Sequence, residues 1–175
     1  TCFGHGAAVA PLPVEELQRL GRLRSRTGAH VTLDGGDTDA SKPRLGPRHH
    51  LNMLQDVFKA VFSLRVAAPG HVNLEEARAL IAFVRWVLCS KARFNHRLVV
   101  VVGSSVVLGA ATKGRSSSVP LSCLLRRLAA LTFAGGLILH LVFITTEHSP
   151  ADKPSIQRIA PASEGPTTSN AFGFH

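Results

Sequence analysis

An uncharged apolar run over residues 128–145 constrains the fold of this chain more than any other feature. Its 18 residues include one ionisable side chain, His140. As an α-helix the run would be about 27 Å long, which is close to the hydrocarbon thickness of a bilayer. Ser118 as N-cap and Pro120 in the first turn mark a start for this helix. The pattern predicts a basic flank and a transmembrane helix within residues 113–146, and a helix buried in a protein core is the alternative interpretation.

Small and polar residues recur along one side of the predicted transmembrane helix. Ala129, Thr132, Gly136 and His140 are three or four positions apart and would share one helical face. Helices associate in lipid through such faces, because small residues let two backbones approach closely. We therefore expect these four residues to pack against a neighbouring helix. His140 is also a candidate haem ligand whose axial partner would come from another chain, although a hydrogen bond across a helix interface is the favoured interpretation.

Basic charge is concentrated before the apolar run. The chain carries 18 Lys and Arg against 8 Asp and Glu before residue 128, and 2 against 3 from that position onward. By the positive-inside rule, a single-pass chain would keep its N-terminal body on the matrix, stromal or cytoplasmic side. We expect the cations beside the apolar segments to contact partner subunits or anionic headgroups such as those of cardiolipin. These cations are Arg93, Arg97, Lys113, Arg115, Arg126 and Arg127.

Hydrophobic periodicity divides the rest of the chain. Residues 1–49 are interpreted as an extended arm with one short helix that has Pro13 in its first turn. Residues 50–97 carry two apolar stripes at helical spacing, which predict an amphipathic helical hairpin. Residues 98–112 form a short valine-rich segment, interpreted as a second membrane helix, a re-entrant helix or a buried strand. Residues 147–175 are rich in Pro, Ser and Thr and are expected to form an extended tail.

The predicted fold is therefore mainly α, with amphipathic helices, one or two transmembrane helices and long extended arms, and without an independent globular enzyme fold. Gly4 and Gly6 lack the third glycine of a dinucleotide-binding loop, and Lys113 is not preceded by the glycine of a phosphate-binding loop. The three cysteines show no disulfide or metal-binding spacing. From these patterns we expect neither catalysis nor a bound cofactor.

These features are typical of a non-catalytic accessory subunit that stabilises a large organellar membrane complex. A respiratory-chain complex or the ATP synthase of the mitochondrial inner membrane is the predicted setting, since the chain starts at Thr1 as if a presequence had been removed. The alternative is a basic, rRNA-associated subunit of an organellar ribosome. That alternative predicts a buried helix or strand at 128–145, and phosphate contacts from basic residues in 19–48 and 91–127. DNA is not an expected partner under either interpretation.

Overall fold

The computed structural model describes residues 4–22, 30–34, 48–54, 58–65, 70–144 and 149, and this part of the chain has a mixed α/β fold. Helices and strands are interspersed along it, so the mainly α prediction is wrong. In chain order the elements are β1 (Gly4–Val9), α1 (Val14–Gly21), β2 (His30–Asp34), β3 (Arg48–Leu54), β4 (Lys59–Arg65), α2 (Val72–Leu88), a 3₁₀ turn (Lys91–Arg93), β5 (Arg97–Val102), α3 (Ser105–Lys113), α4 (Val119–Ala134) and β6 (Ile138–Ile144).

The strands form two sheets. β1 and β4 pair antiparallel, and the other strands form a parallel sheet in the order β3-β2-β6-β5. β5 and β6 pair in continuous register, from Arg97 opposite Ile138 to Val102 opposite Phe143. Parallel neighbours need a crossover connection rather than a tight turn. Helices α3 and α4 supply this crossover between β5 and β6.

The parallel sheet is covered on both faces. On one face, apolar residues of α2, α3 and α4 pack against Val102 and Leu141. On the other face, Leu20 of α1 joins Val31, Val142 and Ile144 in a second buried cluster. Because neighbouring residues of a strand point to opposite faces, β6 has to be apolar along nearly its whole length.

The described part of the apolar run, residues 128–144, is a helix end, a turn and a strand. Gly136 follows α4 with a φ of 61°, in the left-handed region. The N–H of Leu137 donates to the carbonyl of Thr132 at 2.8 Å, and the N–H of Gly136 donates to the carbonyl of Phe133 at 3.1 Å. This pair of bonds is a Schellman motif, which ends the helix. A Cβ on Gly136 would collide with Oδ1 of Asn95, so the site requires glycine.

The transmembrane helix predicted within 113–146 is therefore a wrong prediction. Among the described residues, no helix has both the length and the hydropathy that crossing a bilayer requires. The proposed packing face is also divided, because Ala129 and Thr132 lie on α4, Gly136 lies in the turn and His140 lies on β6.

The segment at 98–112 is likewise divided, between β5 and α3. Ser104 separates the two elements, and its Oγ accepts a hydrogen bond from the N–H of Val107 at 3.1 Å. This is an N-cap, which satisfies one of the unpaired N–H groups at the start of α3. The buried-strand interpretation is correct for its first residues, whereas the membrane-helix interpretation is wrong.

Only the second half of the helical hairpin predicted at 50–97 is helical. α2 forms as expected, but the first apolar stripe falls in β3 and β4. The short helix predicted after Pro13 is confirmed as α1, with Pro13 at its N-cap. The arm and tail boundaries at 1–49 and 147–175 stay predictions, and the tail lies outside the described residues apart from Ser149.

Candidate functional site

Residues 77–146 carry nine Lys and Arg and no Asp or Glu. They contain most of α2 and all of β5, α3, α4 and β6. The net charge of the whole chain, +9, is thus matched by this stretch alone. This acid-free stretch can be read from the sequence. A count of charges before and after residue 128 does not reveal it, because residue 128 lies inside the stretch.

Most cations of this stretch are exposed and have no carboxylate partner. Arg78 pairs with Glu75, one turn earlier in α2. Seven others are exposed and form no ion pair with any residue within the described ranges. Because these cations are not neutralised by nearby carboxylates, they would attract an external polyanion. The seven are Arg85, Lys91, Arg97, Lys113, Arg115, Arg126 and Arg127.

The six cations predicted to contact lipid or partner subunits lie in pairs at three places. One pair flanks the start of β5, one borders a cleft beside α3, and one lies on the exposed side of α4, away from the buried leucines that pack on α2. In that order, the pairs are Arg93 and Arg97, Lys113 and Arg115, and Arg126 and Arg127.

The cleft beside α3 has a volume of about 640 Å³. Gly114, with a φ of 69°, ends α3, and the N–H of Arg115 donates to the carbonyl of Ala110 at 3.2 Å. This bond holds Arg115 at the rim of the cleft. Two cations with neighbouring hydroxyls suit an anion such as phosphate. The cleft is lined by Ser105, Val106, Gly109, Ala110, Lys113, Arg115, Ser116 and Ser117.

A second surface lies where β5 and β6 begin. The N–H of Asn95 donates to the carbonyl of Gly135 at 2.9 Å, and the N–H of Ile138 donates to the carbonyl of His96 at 3.0 Å. These bonds hold the 3₁₀ turn and the start of β5 against the end of α4. We call the resulting patch the amino-end surface. It consists of Lys91, Arg93, His96, Arg97, Phe133 and Ile138.

Two large apolar side chains are exposed on the amino-end surface. Phe133 is 91% exposed in the last turn of α4, and Ile138 is 55% exposed at the first position of β6. Arg97 is the cross-strand neighbour of Ile138. An aromatic ring and an aliphatic side chain are thus exposed on segments that meet cation-bearing segments of the chain, an arrangement that residue spacing along the chain does not reveal.

Arg93 makes a cation–π contact with Trp86. Its guanidinium carbon lies 4.0 Å from the centroid of the Trp86 ring, and Nη1 donates to the Trp86 carbonyl at 3.4 Å. Phe83 stacks beside Trp86, with ring centroids 6.0 Å apart. A cation–π contact of this kind contributes roughly 0.5–2 kcal/mol and fixes the plane of the guanidinium group.

His140, the candidate haem ligand, is half-buried on β6 beside Val99. Its Nε2 atom is buried and has no hydrogen-bond partner among the described residues. No group of three His, Cys, Asp or Glu side chains that could hold a metal ion occurs in that part of the chain. The haem hypothesis, whose axial partner would come from another chain, stays a prediction.

Ser104 is the buried polar residue beyond the carboxyl end of β5. Its hydroxyl donates to Oδ1 of Asn73 at 3.0 Å while it accepts from the N–H of Val107. These two bonds join the start of α2 to the start of α3. Ser104 therefore has a structural role, and its hydroxyl is directed into the protein.

No protein-family model, curated protein or solved structure matches this chain. The function is therefore inferred from the charge and geometry of the surfaces described above. Among them, the amino-end surface combines cations with an exposed aromatic ring, whereas the cleft beside α3 has cations without a ring.

Proposed function

We propose that this chain is a non-catalytic RNA-binding protein, a basic subunit of a ribonucleoprotein assembly such as an organellar ribosome. The observation that carries this proposal is the acid-free stretch at 77–146, with seven exposed cations that form no ion pair within the described residues. Contacts between such cations and phosphates provide most of the affinity of a protein for nucleic acid, independent of base sequence.

The fold of the apolar run supports this proposal over a membrane subunit. The RNA-associated alternative predicts a buried helix or strand at 128–145. The described part of this run packs into the core through Leu128, Leu141, Val142 and Ile144, while Phe133 and Ile138 are exposed. The predicted single-pass subunit would instead place a spanning helix in this run, and no described helix is long and apolar enough to be one. Of the basic residues expected to contact phosphates in 19–48, Arg19 pairs with Glu16, and most of the others lie outside the described ranges.

The proposal is tested by measuring how the affinity of the full chain for RNA depends on salt. Binding of a fluorescein-labelled, 20-nucleotide RNA is followed by fluorescence anisotropy between 50 and 200 mM KCl. If four to seven cations contact phosphates of a single strand, log Kd rises with log salt concentration with a slope of roughly 3 to 5. A chain that does not bind the RNA with a Kd below about 100 μM at any of these salt concentrations would contradict the proposal.

Charge variants identify the cations that carry the binding. Replacing Lys91 and Arg97 together by Gln removes two exposed charges and is expected to lower the salt slope by about 1.4. Arg78→Gln is the matched control, because Arg78 is already paired with Glu75. We expect this control to leave the slope unchanged. An equal effect of the two variants would show that net charge alone, and not the proposed surface, is responsible.

A further inference from the structure

The amino-end surface offers a base-stacking group as well as cations. We infer that it binds single-stranded rather than duplex RNA, with the ring of Phe133 stacked on a base and with Lys91, Arg93 and Arg97 close to the phosphates. This inference rests on the proposed RNA-binding function and specifies the form of RNA that the surface recognises.

Phe133 is placed where its ring is available to a ligand. The side of α4 that faces α2 is formed by Leu121, Leu125 and Leu128, and Phe133 does not lie on that side. Its ring is 91% exposed, so the protein core does not use it. The Schellman motif fixes its backbone through the N–H of Gly136, which donates to the Phe133 carbonyl. The ring is therefore an exposed side chain on a well-anchored backbone.

Cations lie on the two elements whose backbone meets the end of α4. Arg97 begins β5, next to Ile138, and the 3₁₀ turn carries Lys91 and Arg93. The guanidinium of Arg93, fixed by Trp86, presents a second planar group. Proteins that bind single strands combine a basic surface with aromatic or guanidinium planes on which bases stack. The amino-end surface contains both components.

The geometry favours a single strand over two other ligands. In a duplex the bases are already stacked on each other, so an isolated phenylalanine ring has no base face to contact. A membrane surface is bound by helices that present a continuous apolar face. The exposed side of α4 does not meet that condition, because it carries Arg126 and Arg127.

The test compares two labelled RNAs, a 12-nucleotide oligouridylate and a 12-base-pair duplex, with the full chain in 100 mM KCl. Phe133→Ala is expected to weaken binding of the oligouridylate by roughly 5- to 100-fold, the usual effect of losing one stacking ring. The parent chain is expected to bind the duplex more weakly than the oligouridylate, and Phe133→Ala should not change binding of the duplex. Phe133→Trp is expected to restore the binding of oligouridylate that Phe133→Ala loses, because an indole ring also stacks on bases. Val119→Ala is the matched control, since Val119 is a 75% exposed apolar residue at the opposite end of α4 and should have no effect.

A direct signal is available because Trp86 is the only tryptophan and the chain contains no tyrosine. In the double variant Trp86→Phe with Phe133→Trp, the single indole reports on position 133. Its fluorescence should be quenched by oligouridylate and not by the duplex.

Each remaining outcome contradicts either this inference alone or both proposals. If Phe133→Ala binds oligouridylate as well as the parent chain, the stacking inference is wrong while the RNA-binding proposal stands. If neither RNA binds to the parent chain, both are wrong. If vesicles of phosphatidylcholine and phosphatidylserine bind more tightly than either RNA, and Phe133→Ala releases the chain from them, the surface recognises a membrane.

Discussion

Replacing Gly136 by Ala tests the turn that divides the apolar run. At a φ of 61°, alanine pays the cost of the left-handed conformation, roughly 1–2 kcal/mol. Its Cβ would also displace the side chain of Asn95, whose backbone N–H donates to the carbonyl of Gly135. We therefore expect a loss of about 2–3 kcal/mol, which lowers Tm by about 4–12 °C for a chain of this length.

The sign of the change in stability distinguishes a helix–turn–strand at 128–145 from an uninterrupted helix. In an uninterrupted helix, Gly136→Ala would instead increase stability by up to about 1 kcal/mol. Thermal unfolding followed by circular dichroism at 222 nm measures the difference. Gly109→Ala is the matched control, because a Cβ at this position in α3 meets nothing within 4 Å and should raise Tm slightly. A Gly136→Ala chain at least as stable as the parent would refute the helix–turn–strand reasoning.

Two further predictions concern the interior of the fold. Ser104→Ala removes the N-cap of α3 and the bond to Asn73, and should lower the free energy of unfolding in urea by about 1–2 kcal/mol. An unchanged urea midpoint would contradict the capping role. Leu121→Ala should cost about 2–5 kcal/mol because Leu121 is only 2% exposed, whereas Val119→Ala, two residues earlier, should change stability by less than about 0.5 kcal/mol. Equal effects would mean that α4 does not pack through its leucines.

Several local elements could be predicted from the sequence because their signals are local. Pro13 precedes α1, and Ser118 with Pro120 marks the start of α4. α2 was predictable from its apolar spacing. Cap residues and helical periodicity act within a few positions, so one sequence is sufficient to recognise them.

The sequence leaves β5 ambiguous and hides β6, because a strand covered on both faces lacks the alternation by which a strand is usually recognised. Residues 98–102 and 138–144 are both nearly continuous apolar runs, and each one resembles a membrane segment. The interpretation of 138–144 as part of a transmembrane helix also affects the valine-rich run at 98–102. It leaves that run without a strand partner, although β6 pairs with it directly.

The sequence identifies the individual cations of the candidate site, but it does not show which of them lie on the same surface. The segments that carry Arg97 and Phe133 meet only through the pairing of β5 with β6 and the turn at Gly135. Such a contact joins residues that are distant along the chain, and the periodicity of either segment carries no information about it. The position of Phe133 within an apolar run instead indicates contact with lipid, so the sequence does not reveal its exposure on a folded protein.

The crossover between β5 and β6 has a consequence for biosynthesis. Residues 98–102 leave the ribosome before the strand that pairs with them has been made, because α3 and α4 lie between the two in the chain. Until that strand emerges, the nascent polypeptide exposes unpaired valines, and contacts between distant segments form slowly. The yield of native protein will therefore depend on translation speed and on chaperones that shield this segment while elongation continues.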